Sequence, residues 1–123
     1  MKHQDLTRKI IACCYTVYNE MGFGFLESVY EKCLLIELEK EGIKAAGQSP
    51  IKVYYSGICV GDFWADILVE DEVIVELKSV TTVADAHSVQ LVNYLSATGK
   101  DVGLLINFGP EGVDVKRKVK KLE

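Results

Sequence analysis

The chain has 123 residues, 49% of them hydrophobic and 26% charged, with a formal net charge of −4. That length fits one domain of about 100 to 150 residues, here residues 1–123, and the composition excludes a disordered acidic chain and a membrane protein. The acidic surplus argues against tight, unspecific binding to a phosphate backbone, although a site that gathers carboxylates around a cation is itself acidic and regains affinity through the ion.

Between Asp5 and about Met21, Ile10, Ile11, Cys14, Val17, Tyr18 and Met21 recur at steps of three and four, the period of one buried helical face. Gly22-Phe23-Gly24 breaks this first helix. A second helix starts near Phe25, with Leu26, Val29, Tyr30, Cys33, Leu34 and Leu38 as its apolar stripe, and Gly42 ends it. The period then becomes that of strands. Pro50 forces an extended entry into Ile51-Lys52-Val53-Tyr54-Tyr55, Ser56-Gly57 marks a turn, and Ile58 to Val69 forms the second strand. Across the acidic turn Glu70-Asp71-Glu72 lies a third strand, Val73 to Ser79. A third helix is expected from Ala84 to Ala97, with Val89, Leu91, Val92 and Leu95 inward and Thr98-Gly99-Lys100 as its stop. Val102 to Asn107 is apolar on both faces, as in a strand covered by helices on both sides, and Val113-Asp114-Val115 adds a short edge strand. This order predicts an α/β fold, a mixed sheet flanked by helices.

No apolar run reaches the roughly 18 residues of a membrane span, and the start Met1-Lys2-His3-Gln4-Asp5 lacks a secretion signal's apolar stretch, so a cytoplasmic location is expected. Cys13, Cys14, Cys33 and Cys59 show no Cys-x-x-Cys spacing and read as reduced, buried thiols. Lys116, Arg117, Lys118, Lys120 and Lys121 gather at the C-terminus, where a solvated tail is expected ahead of a phosphate-facing edge.

The third strand carries the chemistry. Val73-Ile74-Val75 demands burial, yet the same strand delivers Glu76 and Lys78, two apart and therefore on one face. A salt bridge would account for that pair taken alone. Asp66, however, interrupts an interior run on the second strand, and pairing across the Glu70-Asp71-Glu72 turn brings it within reach of Glu76 or Lys78. Two carboxylates held close repel unless a cation joins them, and hard oxygen ligands suit Mg2+, with Mn2+ an alternative. Glu27 and Tyr30 share a face of the second helix, as His87, Gln90 and Tyr94 do on the third. Gly22-x-Gly24 follows no strand and is dismissed as a phosphate loop, and neither a Ser-His-Asp arrangement nor a zinc spacing stands out.

Gly24-Phe25-Leu26-Glu27-Ser28-Val29-Tyr30 resembles the signature of the small GxxExxY proteins of the PD-(D/E)XK nuclease superfamily. The likeness continues through Pro50-Ile51, Val53-Tyr54-Tyr55, Ala65-Asp66, Ile74-Val75-Glu76-Leu77-Lys78, His87, Gln90-Leu91, Tyr94-Leu95 and Gly103-Leu104-Leu105-Ile106-Asn107-Phe108-Gly109. The resemblance implies a restriction-endonuclease-like core of helix, three-strand meander, helix and strand, preceded by an extra N-terminal helix. It further implies that Asp66 and Glu76 ligate the metal, that Glu27 supports it from its helix, and that Lys78 orients or polarises the attacking water. Gln90 and Tyr94 resemble the Gln-x-x-x-Tyr element of RecB-type nucleases, and Tyr30 and His87 join them as expected substrate contacts. Two positions depart from the pattern: Ala65 replaces the proline of the superfamily's name, and Trp64 stands where relatives carry arginine.

The expected function is metal-dependent hydrolysis of DNA or RNA phosphodiester bonds. The rival is a module of the same fold that binds nucleic acid or a protein partner without cutting. Because so short a chain has few insertions with which to shape a substrate groove, a homodimer or larger complex is expected to complete it.

Overall fold

The computed structural model describes residues 3–120, and its elements follow the changes of period along the chain. Helix α1 (Gln4–Met21) turns Ile10, Cys13, Cys14 and Val17 inward, and α2 (Glu27–Lys40) buries Tyr30, Leu34 and Leu38 at steps of four. The break between them depends on Gly22 and Gly24, whose φ angles of 71° and 117° disfavour any side chain. Leu26, expected in the apolar stripe, instead caps the start of α2 and is 75% exposed. Tyr30, one turn later in the same stripe, is buried as expected.

Five strands follow: β1 (Ala45–Tyr55), β2 (Ile58–Val69), β3 (Val73–Lys78) and, after helix α3 (Asp85–Thr98), β4 (Val102–Gly109) and β5 (Gly112–Val119). They form one sheet in the order β1-β2-β3-β4-β5. Only β3 and β4 run parallel, because α3 is the crossover that a parallel pair requires, and the other neighbours are antiparallel. The expected mixed sheet flanked by helices is the one observed.

Four details differ from the expectation. Strand β1 starts at Ala45 rather than after Pro50, since β1 is an edge strand and Pro50, opposite Trp64, can leave its missing N–H on the open side. Strand β5 runs for eight residues, so Lys116, Arg117 and Lys118 are not a solvated tail but sheet residues opposite Leu105, Leu104 and Gly103. Charge is common on an edge strand, and the unbroken run Lys116-Arg117-Lys118 hides its period, while Val113 and Val115 anchor it to the core. Lys121 lies outside the described residues. Val89 is 59% exposed, leaving Leu91, Tyr94 and Leu95 as the buried face of α3. Cys13 and Cys14 are buried and Cys33 partly so, but Cys59 is exposed on β2.

The core has two parts, one on each face of the sheet. Against α1 and α2 pack Ile67, Val69, Val73, Val75, Leu77, Leu104, Ile106 and Phe108; against α3 pack Ile51, Ala65, Ile74 and Leu105. All eight residues of β4 are buried, as expected of a strand covered on both sides. Among the described residues no helix is long and apolar enough to cross a membrane.

Candidate functional site

Strands β2 and β3 are joined by a tight turn in which Glu70 and Asp71 both adopt left-handed φ angles of 52° and 57°. Their backbones pair at Val69 and Val73, Leu68 and Ile74, and Ile67 and Val75. At the next position, where Asp66 meets Glu76, the carboxylates take over the ladder. Glu76 Oε2 accepts the Asp66 N–H at 2.7 Å, and Asp66 Oδ2 accepts the Leu77 N–H at 2.7 Å.

The side-chain alternation of β2 also slips at this point. Ala65 belongs to the cluster beneath α3, whereas Ile67 and Val69, two and four residues on, belong to the opposite cluster. On β1, opposite Asp66, Gln48 takes a left-handed φ of 52° and the regular pairing skips it.

Glu76 and Lys78 extend the face of Ile74, which packs beneath α3. Burial of Glu76 drives its pKa up to about 7, with the charge of Asp66 adding to the rise and the Asp66 N–H and Lys78 opposing it. Burial likewise raises the Asp66 carboxyl, against the pull of the Leu77 N–H and of Lys78, and the charge of Glu27 raises it further. Lys78 is thus close enough to act on both acids. Glu27 starts α2, and its Oε2 accepts the N–H of Ser79 at 3.0 Å, which ties the helix to the end of β3 beside Lys78.

From the other side α3 brings in Gln90 and Tyr94, whose side chains are joined by a 2.8 Å hydrogen bond from Gln90 Nε2 to the Tyr94 hydroxyl. Tyr94 packs against Ala65 and Ile74 on the face of the sheet that carries Glu76; burial raises its phenol, and the charges of Glu76 and Asp66 raise it further. His87 lies a turn earlier on α3, with its Nδ1 buried and without a hydrogen-bond partner among the described residues. Tyr30 is not brought to this surface. It is fully buried, stacked on Phe108 with ring centroids 4.2 Å apart, and its hydroxyl bonds the Gly22 carbonyl and receives the Phe25 N–H. Its part here is to fix the loop that launches Glu27.

Sequence reasoning passed over two members of the group. Glu31, one helical turn after Glu27, accepts a 2.7 Å hydrogen bond from Gln48 Nε2. The same Gln48 amide holds down the Asp66 carboxyl. Burial and the charge of Asp66 both raise the Glu31 carboxyl, while Gln48 lowers it. The four-residue step from Glu27 to Glu31 was visible, but a glutamate on a helix is usually a solvated one. Nothing marked Gln48, whose role arises from its backbone angle. Gly47 lets α2 approach, because a Cβ there would stand 3.1 Å from both Glu31 Oε2 and Leu35 Cδ1.

Whether these residues fit a divalent ion can be judged from their donors. Lys78 is the cation whose charge acts on Asp66 and Glu76, and these two desolvated acids carry hard oxygens that an ion would neutralise. Among the described residues no three acidic, histidine or cysteine side chains converge into a ready-made cage. Two carboxylates with the remaining positions left to water and phosphate match the habit of Mg2+, so the donor set fits.

A family model described as the PD-(D/E)XK nuclease superfamily matches residues 4–122. No curated protein matches. Two solved structures are similar in fold. One is the crystal structure of SSO0001, 16% identical with a TM-score of 0.57, the match covering 99% of this chain and 62% of that one. The other is the crystal structure of an alkaline exonuclease (LHK-Exo) from Laribacter hongkongensis, 10% identical with a TM-score of 0.57, covering 98% of this chain and 72% of that one. The chain therefore spans about three fifths of the length of the first. The match over nearly the whole described chain, together with the opposed acids of β2 and β3, shows that this chain belongs to the PD-(D/E)XK nuclease superfamily.

Proposed function

We propose that this chain, as one of the GxxExxY group, hydrolyses nucleic-acid phosphodiester bonds with the help of a divalent cation, Mg2+ or Mn2+. The observation that carries the reading is that Asp66 and Glu76 face each other at the end of the β2-β3 ladder, with Lys78 two residues beyond Glu76 on the same face of β3. Asp66 and Glu76 would hold the ion, and Glu27, anchored to Ser79, would support it from α2. Bound there, the ion supplies charge stabilisation at the scissile phosphate and acidifies the attacking water. Lys78 orients that water and offsets negative charge as the substrate arrives. Gln90 and Tyr94, already joined to each other, face the acids from α3 and contact the phosphate, with His87 on the substrate side a turn away.

The test is cleavage of end-labelled single- and double-stranded DNA and RNA by the purified chain with Mg2+ or Mn2+. Product that vanishes with chelator and with Lys78→Ala supports the reading. Product that survives both belongs to a contaminant.

The second reading, a non-catalytic module, is favoured by one observation: the acids already find backbone N–H donors without an ion. Metal-tightened binding in a gel shift with no product would select it. A second copy, if one completes the groove, would find an apolar surface in the exposed Tyr54, Tyr55, Ile58 and Val60 at the tip of the β1-β2 hairpin. Sedimentation velocity tests that arrangement, in which the chain acts as a cytoplasmic homodimer.

A further inference from the structure

A groove of about 820 Å³ opens between α3 and the β1-β2 hairpin, within the range of about 300 to 1,000 Å³ common for ligand pockets. Val53 and Phe63 form one wall, and His87, Gln90, Asn93 and Tyr94 the other. The Phe63 and Tyr94 rings sit 5.8 Å apart at 42°, and Tyr94 packs in one core cluster with Ala65, the residue before Asp66, and Ile74, on the same face of β3 as Glu76. The groove is therefore a continuation of the candidate catalytic surface.

Its chemistry differs from that of the acids beside it. No Lys, Arg, Asp or Glu is found among the described residues that line it. Gln90 and Tyr94, at the end nearest the acids, can reach a phosphate, but beyond them the groove offers no charge to hold one and so suits an uncharged part of a substrate. Its apolar walls include Phe63, 42% exposed and so open to stacking, while Gln90 and Asn93 supply amide donors and acceptors at the rim. The unpaired Nδ1 of His87 is a further polar atom whose desolvation cost falls if the ring turns to meet a ligand. A flat, apolar-faced ring with hydrogen-bonding edges answers all of these features.

We infer that the groove between Phe63 and α3 takes an unpaired nucleobase next to the phosphate at Asp66 and Glu76, and so selects single-stranded or frayed nucleic acid. The inference rests on the phosphodiesterase reading and names the substrate class for it. A base within a duplex has its hydrogen-bonding edge paired and its faces stacked, so entry carries an unpairing cost that a free strand does not face.

The test uses the Lys78→Ala chain in Ca2+ with short DNA and RNA oligonucleotides that carry 2-aminopurine at successive positions. A fluorescence change confined to one position, binding about ten- to a hundredfold weaker when that base is replaced by an abasic analogue, and a similar loss on Phe63→Leu are expected. Phe63→Leu keeps an apolar side chain at a partly exposed site, so the fold is retained, and circular dichroism checks this. Duplex and abasic strands binding as well as the intact single strand would overturn the inference while leaving the phosphodiesterase reading intact. Failure of every oligonucleotide to bind, together with no cleavage by the unsubstituted chain, would overturn both.

Discussion

Asp66 and Glu76 lock each other in place: the carboxylate of Glu76 accepts the backbone N–H of Asp66, and the carboxylate of Asp66 accepts the N–H that follows Glu76, each at 2.7 Å. This exchange replaces the next rung of the β2-β3 ladder. It holds two like charges close together in a partly buried place, which only a proton, Lys78 or a bound cation can offset.

Metal binding should therefore be coupled to a proton. Glu76, raised from 4.5 to about 7 by burial and by Asp66, holds its proton below neutrality in the metal-free chain. Calorimetry with Mg2+ or Mn2+ in buffers of different ionisation enthalpy should register up to one proton released per ion near pH 6, with affinity falling about tenfold per pH unit below that and levelling off above about pH 8. An affinity that does not change between pH 6 and 8 would contradict this.

The same shift governs stability. The folded-state pKa of Glu76 lies above its ordinary value, so its contribution is complete below about pH 4.5 and is lost as pH rises through about 7. Metal-free protein should lose on the order of 2 kcal/mol from this group across that window, and saturating metal should restore it. Urea denaturation at pH 5 and pH 8, with and without the ion, measures both parts.

Glu76→Gln and Lys78→Ala should separate activity from stability. The amide oxygen of Gln can still accept the Asp66 N–H but carries no charge, so metal-free Glu76→Gln should melt at a higher temperature than the parent at pH 8 while its cleavage is lost. Lys78→Ala removes the cation that steadies both acids, so it should lower the melting temperature at pH 8 and cut cleavage by about a hundredfold or more. Equal destabilisation by both substitutions would count against the charge argument.

Tyr30→Phe tests how Glu27 is held. Losing the hydroxyl leaves the Gly22 carbonyl and the Phe25 N–H without their partner at the entry to α2. We expect a loss of about 1 to 2 kcal/mol in urea denaturation and a severalfold drop in Mg2+ affinity, because the loop before Glu27 loosens. A stability loss with unchanged affinity would mean that Glu27 does not depend on that loop.

Gly103→Ala probes the seating of α3. A Cβ there would stand 2.7 Å from Leu91 Cδ1 and 3.1 Å from its Cγ, and Leu91 is fully buried with no room to swing aside. The helix must shift, at about 1 to 3 kcal/mol, and carry Gln90 and Tyr94 with it. Thermal denaturation should detect the first effect, and a raised KM for cleavage the second.

The sequence alone determined the period of each element, because apolar spacing follows directly from helix and strand geometry, and it singled out Asp66, Glu76 and Lys78, because charges inside apolar runs are costly. Strand β5 was underestimated because three consecutive charges, Lys116, Arg117 and Lys118, interrupt its alternation. Val89 was misplaced because helical spacing allows more than one inward face. Tertiary structure decided the rest. Glu31 joins the site through the Gln48 amide of β1, and Tyr30, whose burial the stripe foretold, was kept from the substrate surface by the hydroxyl bond to Gly22 and the ring of Phe108, 78 residues away. Such contacts depend on the distance between layers and on the bend of a strand, quantities that arise only when the whole sheet is packed.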